Sequence, residues 1–171
     1  RQRQMCIRDS FNEGLASLDK LLEKYPKNLV LNTTKVEFLS YFNKFNDALD
    51  LANKFLEISP KNYPLSISKS QILLNMGQYF ESEEIIRDQL LRKNDSPDLW
   101  FMLSETQKTS QNIVGYHQSR AEYFLLLGQD EKALNQLEFA LQLTQNNFQV
   151  SDRIMTKIIE IKKSLQNSRG L

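Results

Sequence analysis

The sequence predicts an all-α fold in which antiparallel helix pairs stack as an α-solenoid. The chain of 171 residues holds only 5 Gly and 4 Pro, too few for the many turns of a β-sandwich, a barrel or a doubly wound sheet. The sequence repeats itself with a period of about 34 residues. Apolar residues also recur at helical spacing, most clearly at Val150, Ile154, Ile158, Ile161 and Leu165.

Composition and charge exclude several classes of function. Apolar residues make up 40% and charged residues 25% of the chain, with a net charge of +1, as is typical of one ordinary domain. This charge gives no field for steering the chain onto nucleic acid, and no apolar run approaches the roughly 20 residues of a membrane span. One Cys and one His are too few for a structural zinc site or a disulfide framework. We therefore expect no catalysis and no cofactor in this chain.

The first ten residues differ from the rest of the sequence. The segment RQRQMCIRDS has no apolar periodicity, carries three arginines and contains the only cysteine, Cys6. It resembles a translated adapter sequence, so residues 1–10 are interpreted as a non-native leader, with a natural frayed N-terminus as the alternative. Residues 11–25 then form the second helix of a truncated first unit. We expect the authentic protein to continue upstream, and loss of a partner helix could drive artificial dimerisation through the exposed apolar face.

The repeat organises residues 11–147. Phe45 aligns with Tyr79, and Ala48 aligns with Ser82. A small residue such as Ala48 lets two antiparallel helices approach closely, while larger side chains such as Phe45 and Tyr79 fill the groove beside it. The repeat therefore predicts successive helix hairpins.

One stretch departs from this period. Ala133 is the next small residue of the second-helix type, and it follows Ser82 by one and a half repeats. This spacing predicts a long helix over about residues 111–127 that closes one unit with its first half and opens the next with its second half. Gly115 would weaken that helix by about 1 kcal/mol.

Helix ends carry recognisable signals. Ser96 before Pro97 is typical of an N-cap followed by a first-turn proline, and Gly128 is placed where a helix ends in a left-handed residue. The apolar stripe near the C-terminal end predicts a capping helix over residues 148–166, followed by a tail at 167–171. Its charged outer face suits the exposed end of a solenoid and consists of Lys157, Glu160, Lys162 and Lys163.

The repeat resembles the tetratricopeptide (TPR) family. The TPR signature has Trp, then Leu and a small residue, then an aromatic residue, and later Ala, an aromatic residue and Pro within each repeat. Trp100, Leu103 and Ser104 match its first helix, and Ala48 and Pro60 match its second. The resemblance implies a non-catalytic scaffold that binds protein or peptide partners in a concave groove.

Residues 99–165 carry a more specific resemblance. The run SRAEYFLLLGQDEKALNQLEFALQL followed by NNFQVSDRIMTKIIEIKKSL resembles the end of the BepA-type bacterial periplasmic zinc metalloproteases. That family has, in order, an Arg-Ala-Glu-aromatic run, a Gly turn, an Ala-rich helix and an Arg-Ile closing helix. The resemblance implies a periplasmic location, with unfolded outer-membrane proteins or their assembly machinery as partners. Arg120 and Glu122 are expected to pack and pair between neighbouring helices.

The chain lacks the catalytic signature of that family. The signature is His-Glu-x-x-His, in which two imidazoles hold zinc and the Glu acts as general base. His117 is the only histidine and is predicted to be an ordinary helical residue. The resemblance therefore implies zinc and peptidase activity only in a domain upstream. The alternative is a free-standing TPR adaptor with no catalytic domain, and the upstream sequence would distinguish the two.

The TPR resemblance also nominates a partner-binding groove. First helices line the groove in this family, and its groove positions carried onto this chain are Thr33, Glu37, Tyr41, Ile67, Gln71, Asn75, Phe101, Glu105 and Lys108. Phe101 is the candidate peptide anchor, because an exposed aromatic beside polar groups is typical of binding hot spots. A clamp for a terminal carboxylate, as in chaperone-binding TPR proteins, is rejected because Thr33 and Glu37 replace its Lys and Asn, and Glu37 would repel a carboxylate.

Overall fold

The protein is all-α, as predicted. A computed structural model describes residues 2–144 and 146–169, and the side chains of residues 9–144 and 146–167. Within these ranges the chain forms helices and no strands. The helices are α1 (Gln2–Lys24), α2 (Leu29–Tyr41), α3 (Phe45–Ile58), α4 (Tyr63–Asn75), α5 (Tyr79–Arg92), α6 (Pro97–Thr109), α7 (Ile113–Leu126), α8 (Asp130–Leu143) and α9 (Phe148–Arg169).

The helices form two compact units, residues 1–85 and 86–171. In the first unit α2 packs against α1, α3 and α4, around a core of Val36, Leu39, Ala48, Ala52, Phe55, Leu65 and Ile72. In the second unit α7 packs against both α6 and α8, and α8 packs against α9. The second core contains Ala121, Ala133, Leu137, Ala140, Ile154, Ile158 and Ile161. Ala48 and Ala133 are fully buried, which confirms their prediction as close-contact positions.

Three tight turns recur at the predicted period. Asn43, Gly77 and Gln111 each have a positive φ, of 58°, 78° and 62°, and each lies one repeat from the next. In each turn the amide of the following residue donates to the carbonyl five positions back, as in Gln78 N to Leu73 O at 2.9 Å. This is the Schellman arrangement, which satisfies the last carbonyls of a helix. The repeat period is therefore present in the backbone as well as in the side chains.

A fourth turn of the same kind follows α7. Gly128 has φ 67°, and the amide of Gln129 donates to Phe124 O at 2.9 Å. Since Gly128 follows Gln111 by only half a repeat, α7 is entered and left through the same type of turn. It closes one hairpin with α6 and opens another with α8, so its predicted double role is confirmed. The predicted length is wrong, because residues 113–126 form a helix no longer than α3 or α5, and both neighbours pack along it.

Asparagine caps the first turn of several helices. Asn28 and Asn62 accept a bond from the amide three positions on, at 3.1 and 3.0 Å, and Asn147 does the same for α9 at 3.2 Å. Ser96 occupies the N-cap position of α6, but its side chain makes no cap bond. The expected Ser96 cap is therefore wrong in its chemistry, and Trp100 fixes this turn instead, through Nε1 donating to Asn94 O at 2.8 Å.

The N-terminal helix begins earlier than predicted. α1 starts at Gln2 rather than at Phe11, and the side chain of Cys6 lies outside the described residues. The ring of Phe11 stacks on Phe38 at a centroid distance of 5.6 Å and meets Phe42 edge-on at 5.1 Å. The apolar face of α1 thus packs on α2 at Phe11, and Leu15 also packs against the first core. The non-native origin of residues 1–10 stays a prediction.

The C-terminal helix differs from its prediction in two ways. It continues to Arg169, so the tail predicted to begin at residue 167 is still helical there. Its outer face is also less polar than expected. Lys157, which was predicted on that face, pairs with Glu122 of α7, and the apolar Ile159 is 58% exposed. The long, flexible lysine can reach the neighbouring helix from the edge of the buried stripe, so its charge serves packing rather than solvation alone.

Candidate partner-binding site

The nine nominated residues fall into two groups, one in each unit. Six lie on α2 and α4 of the first unit, and Phe101, Glu105 and Lys108 lie on α6 of the second. The two groups belong to different units.

In the first unit the structure brings together polar residues of α2 and α4. The exposed Glu37 accepts a hydrogen bond from Ser68 Oγ at 3.2 Å, which links the two first helices. On α4 the exposed Gln71 donates through Nε2 to Asn75 Oδ1 at 3.4 Å. These side chains form an open polar surface that could hydrogen-bond a peptide backbone.

Thr33, Ile67 and Tyr41, the other nominated residues in this unit, differ in their solvent exposure. Thr33 is only 9% exposed, and its hydroxyl donates to Leu29 O one turn back at 2.8 Å, a bond that helical threonines often form. Thr33 therefore cannot contact a partner directly as the groove position implied. Ile67 is half-buried, whereas Tyr41 is 81% exposed and its ring meets that of Phe42 edge-on at 5.2 Å.

In the second unit an arginine occupies a cluster of aromatic rings. The Cζ atom of Arg120 lies 4.9, 5.0 and 5.2 Å from the ring centroids of Phe101, Tyr123 and Phe124. Phe101 also packs on Tyr123 at 5.5 Å while remaining 40% exposed. These distances fit cation–π attraction. We call Phe101, Arg120, Tyr123 and Phe124 the arginine cluster.

The Arg120 guanidinium retains an unmet hydrogen-bonding need. Its Nη1 atom is buried and has no hydrogen-bond partner, and no carboxylate of the described side chains pairs with it. A buried donor without an acceptor is costly, more so on a charged group. The sequence predicted that Arg120 packs and pairs between helices; it packs between α6 and α7, and the predicted pairing is wrong.

The other two nominated residues of α6 flank this cluster. Glu105 follows Phe101 by about one helical turn and is half-buried. Lys108 is exposed, and its Nζ atom lies 5.9 Å from the ring centroid of Tyr116 on α7. A further lysine approaches from α8, where Lys132 Nζ lies 5.6 Å from the Phe124 ring. Positive charge therefore approaches the rings of α7 from both neighbouring helices.

Sequence reasoning missed Tyr123, Phe124 and Lys132 as site residues. The groove positions of the TPR family lie on first helices, whereas α7 follows α6 as a second helix. The available signal was the double role of α7, because a helix that also opens a hairpin can present side chains as first helices do.

Glu122 and His117 have structural partners. Glu122 forms an ion pair with Lys157, which joins α7 to α9 and confirms its predicted pairing role. His117 Nδ1 lies 2.8 Å from Gln136 Oε1, and its ring meets that of Phe139 at 5.5 Å. This is the ordinary helical histidine that the sequence predicted.

The described residues contain no group of three or more His, Cys, Asp or Glu side chains placed to hold a metal ion. Among their helices, none combines the length and apolar character needed to cross a bilayer.

Comparison with known proteins identifies the fold. No protein-family model matches the sequence, and no curated protein matches it. Among solved structures, MamA of Desulfovibrio magneticus RS-1, from position 41 to its end, has a TM-score of 0.62 at 15% identity, covering 94% of this chain and 91% of that chain. YrrB, a TPR protein with an unusual peptide-binding site, has a TM-score of 0.53 at 16% identity, covering 90% and 98%. A tetratricopeptide repeat protein of Parabacteroides merdae ATCC 43184 has a TM-score of 0.53 at 14% identity, covering 88% and 65%. The chain therefore has a TPR-like fold of stacked helix hairpins.

Proposed function

We propose that this chain is a protein-binding module that holds extended segments of partner proteins. The observation that carries the proposal is the arginine cluster, in which an exposed aromatic ring lies against a cation on a TPR-like scaffold. Aromatic and arginine side chains are the residue types that dominate binding hot spots. The open polar surface of Glu37, Gln71 and Asn75 in the other unit supplies hydrogen-bonding groups of the kind an extended backbone needs.

We further propose that the module serves a periplasmic zinc metalloprotease that acts in outer-membrane protein assembly and quality control. The support is the order of motifs over residues 99–165, where the Arg-Ala-Glu-aromatic run, the Gly turn, the Ala-rich helix and the closing helix follow one another. In this proposal the zinc and its ligands belong to a peptidase domain upstream. The alternative is a free-standing TPR adaptor with no catalytic domain. The lack of a His-Glu-x-x-His motif in this sequence agrees with both, and the sequence upstream separates them.

Site-directed photocrosslinking tests the binding role. A photoreactive residue is placed at Gln71 or Phe101, and at Lys54 on α3 as a control that is also exposed and outside the nominated positions. Each variant is mixed with an unfolded outer-membrane β-barrel protein or with an unfolded cytosolic protein of similar length. We expect adducts at positions 71 and 101 and few at position 54, with more adducts to the β-barrel protein. Equal labelling at all three positions would contradict a dedicated binding surface.

Reading the source DNA upstream of Ser10 tests the parent protein. An in-frame export signal and a His-Glu-x-x-His helix within about 350 codons, the length of a peptidase domain plus the missing repeats, would support the metalloprotease and the periplasmic location. Additional TPR units or a start codon without such a helix would support the adaptor and remove the metalloprotease from consideration.

A further inference from the structure

We propose that the arginine cluster is a binding site for the carboxylate of an Asp or Glu side chain in an extended partner segment. This inference rests on the proposed function, since it names the chemistry of a partner that the module would hold. The nominated groove residues did not include Arg120, and the terminal-carboxylate clamp of TPR proteins was rejected on residues of the other unit.

The Arg120 guanidinium lacks an acceptor for one of its nitrogen atoms. The three rings stabilise the positive charge of Arg120 through their faces, but ring faces are poor acceptors for the N–H groups in the guanidinium plane. The buried Nη1 atom therefore has no acceptor. A carboxylate is the acceptor that matches a guanidinium best, because it receives two parallel N–H bonds.

The burial of Nη1 favours carboxylate binding at Arg120 over binding at an exposed arginine. An exposed arginine must shed water to bind a carboxylate, and this cost removes most of the benefit of a surface ion pair. The Nη1 atom of Arg120 has already lost its water in the folded chain. A carboxylate that reaches it removes an existing penalty, so the same pair of charges should bind more tightly here than on an exposed arginine.

Access of a ligand to Arg120 depends on Phe101. Phe101 is the exposed member of the cluster, and its ring lies 4.9 Å from Arg120 Cζ. In this proposal the Phe101 side chain rotates aside to admit the ligand. Lys132 on α8 adds a second positive charge beside Phe124. The displaced Phe101 ring would then pack on the apolar residues that flank the acidic residue. This geometry favours an acidic residue inside an apolar segment.

Peptide titration of the full chain tests the site. The probes are two fluorescent twelve-residue peptides with blocked termini and alternating apolar residues, one with a central Asp and one with Asn in its place. We expect the Asp peptide to bind about tenfold more tightly by anisotropy, as one charge-assisted bond allows. Replacement R120Q should abolish the difference, R120K should retain part of it, and R153Q, at an exposed arginine of α9, should leave it unchanged.

The outcomes separate this inference from the proposed function. Equal binding of both peptides would overturn the carboxylate site and leave protein binding standing, whereas binding of neither would overturn both. A third probe is the Asn peptide with a free C-terminus. If it binds more tightly than its blocked form while the Asp peptide shows no advantage, the site binds a terminal carboxylate and the proposal of a side-chain carboxylate is wrong. If R120Q fails to fold, the Arg120 Nε–H resonance of the wild-type chain decides, because the Asp peptide should shift it and the Asn peptide should not.

Discussion

The hydroxyl of Ser119 on α7 donates a hydrogen bond to Oε1 of Gln107 on α6 at 2.7 Å, and both side chains are buried. Gln107 is the last buried residue of its helix, and its carbonyl accepts the turn amide of Asn112 at 2.8 Å. One residue thus ties the α6–α7 hairpin together through both its side chain and its backbone.

Replacing Ser119 by Ala should destabilise the hairpin. The variant loses a buried side-chain bond and leaves Oε1 of Gln107 without the donor it now has, which should lower the free energy of unfolding by about 1–2 kcal/mol. Chemical denaturation followed by circular dichroism measures the change. Ser164→Ala on the exposed face of α9 is the control and should be neutral.

Replacing Gly115 by Ala should destabilise the chain despite the better helix propensity of Ala. An added Cβ would lie 2.6 Å from Asn112 Nδ2 and 2.8 Å from Gln107 Nε2, so both amides must move. Ala should gain about 1 kcal/mol in helix propensity. The disturbed hydrogen bonds of the two amides should cost more than this gain, so we expect the free energy of unfolding to fall by about 1 kcal/mol. A rise in the thermal midpoint would contradict this contact. The double variant Gly115→Ala/Ser119→Ala should lose less free energy of unfolding than the sum of the two single variants, because both substitutions act through Gln107.

Replacing Ala133 by Glu should unfold the second unit or nearly so. The residue is fully buried between α7 and α8, and an unpaired carboxylate there should cost several kcal/mol. Ala16→Glu, on the exposed face of α1, controls for the added charge. A thermal midpoint unchanged by Ala133→Glu would show that the repeat register is wrong.

Replacing Phe101 by Ala should weaken partner capture and leave the helices intact. The ring is half in solvent and half against Arg120 and Tyr123, so its loss removes an anchor of the kind that contributes about 2 kcal/mol or more to binding. Crosslinking yield from a photoreactive residue at Lys108, an exposed position on the same helix, and far-ultraviolet circular dichroism are measured together. Phe148→Ala, at an exposed ring on α9, is the matched control. Equal capture by both variants would remove Phe101 from the site.

The sequence was sufficient for the helices and most of their turns. Small residues such as Ala48 and Ala133 mark close contacts because no larger side chain fits there, and a fixed repeat period constrains where such contacts recur. Sequence also located Gly128, because a positive φ is easiest for glycine. Asn43 and Gln111 adopt the same conformation without that signal, so their turns could be inferred only from the repeat.

The candidate site was less predictable from the sequence. Phe101 was found because a family position pointed to it, but its contact with Arg120 depends on how α6 and α7 are rotated about their axes. Thr33 was misplaced for the related reason that a helical threonine can turn its hydroxyl back onto its own helix. Periodicity assigns residues to a face, and side-chain partners are settled by packing between faces.

The matching turns on either side of α7 make a single helix, rather than a hairpin, the smallest unit that this architecture can gain or lose. A strict alternation of roles would make α8 a first helix, yet it follows α7 through the turn that normally introduces a second helix. Insertion or deletion of one helix with its turn, half a repeat in length, would thus exchange the roles of every helix after it. The surface that each later helix shows to a partner would change without any substitution in that helix.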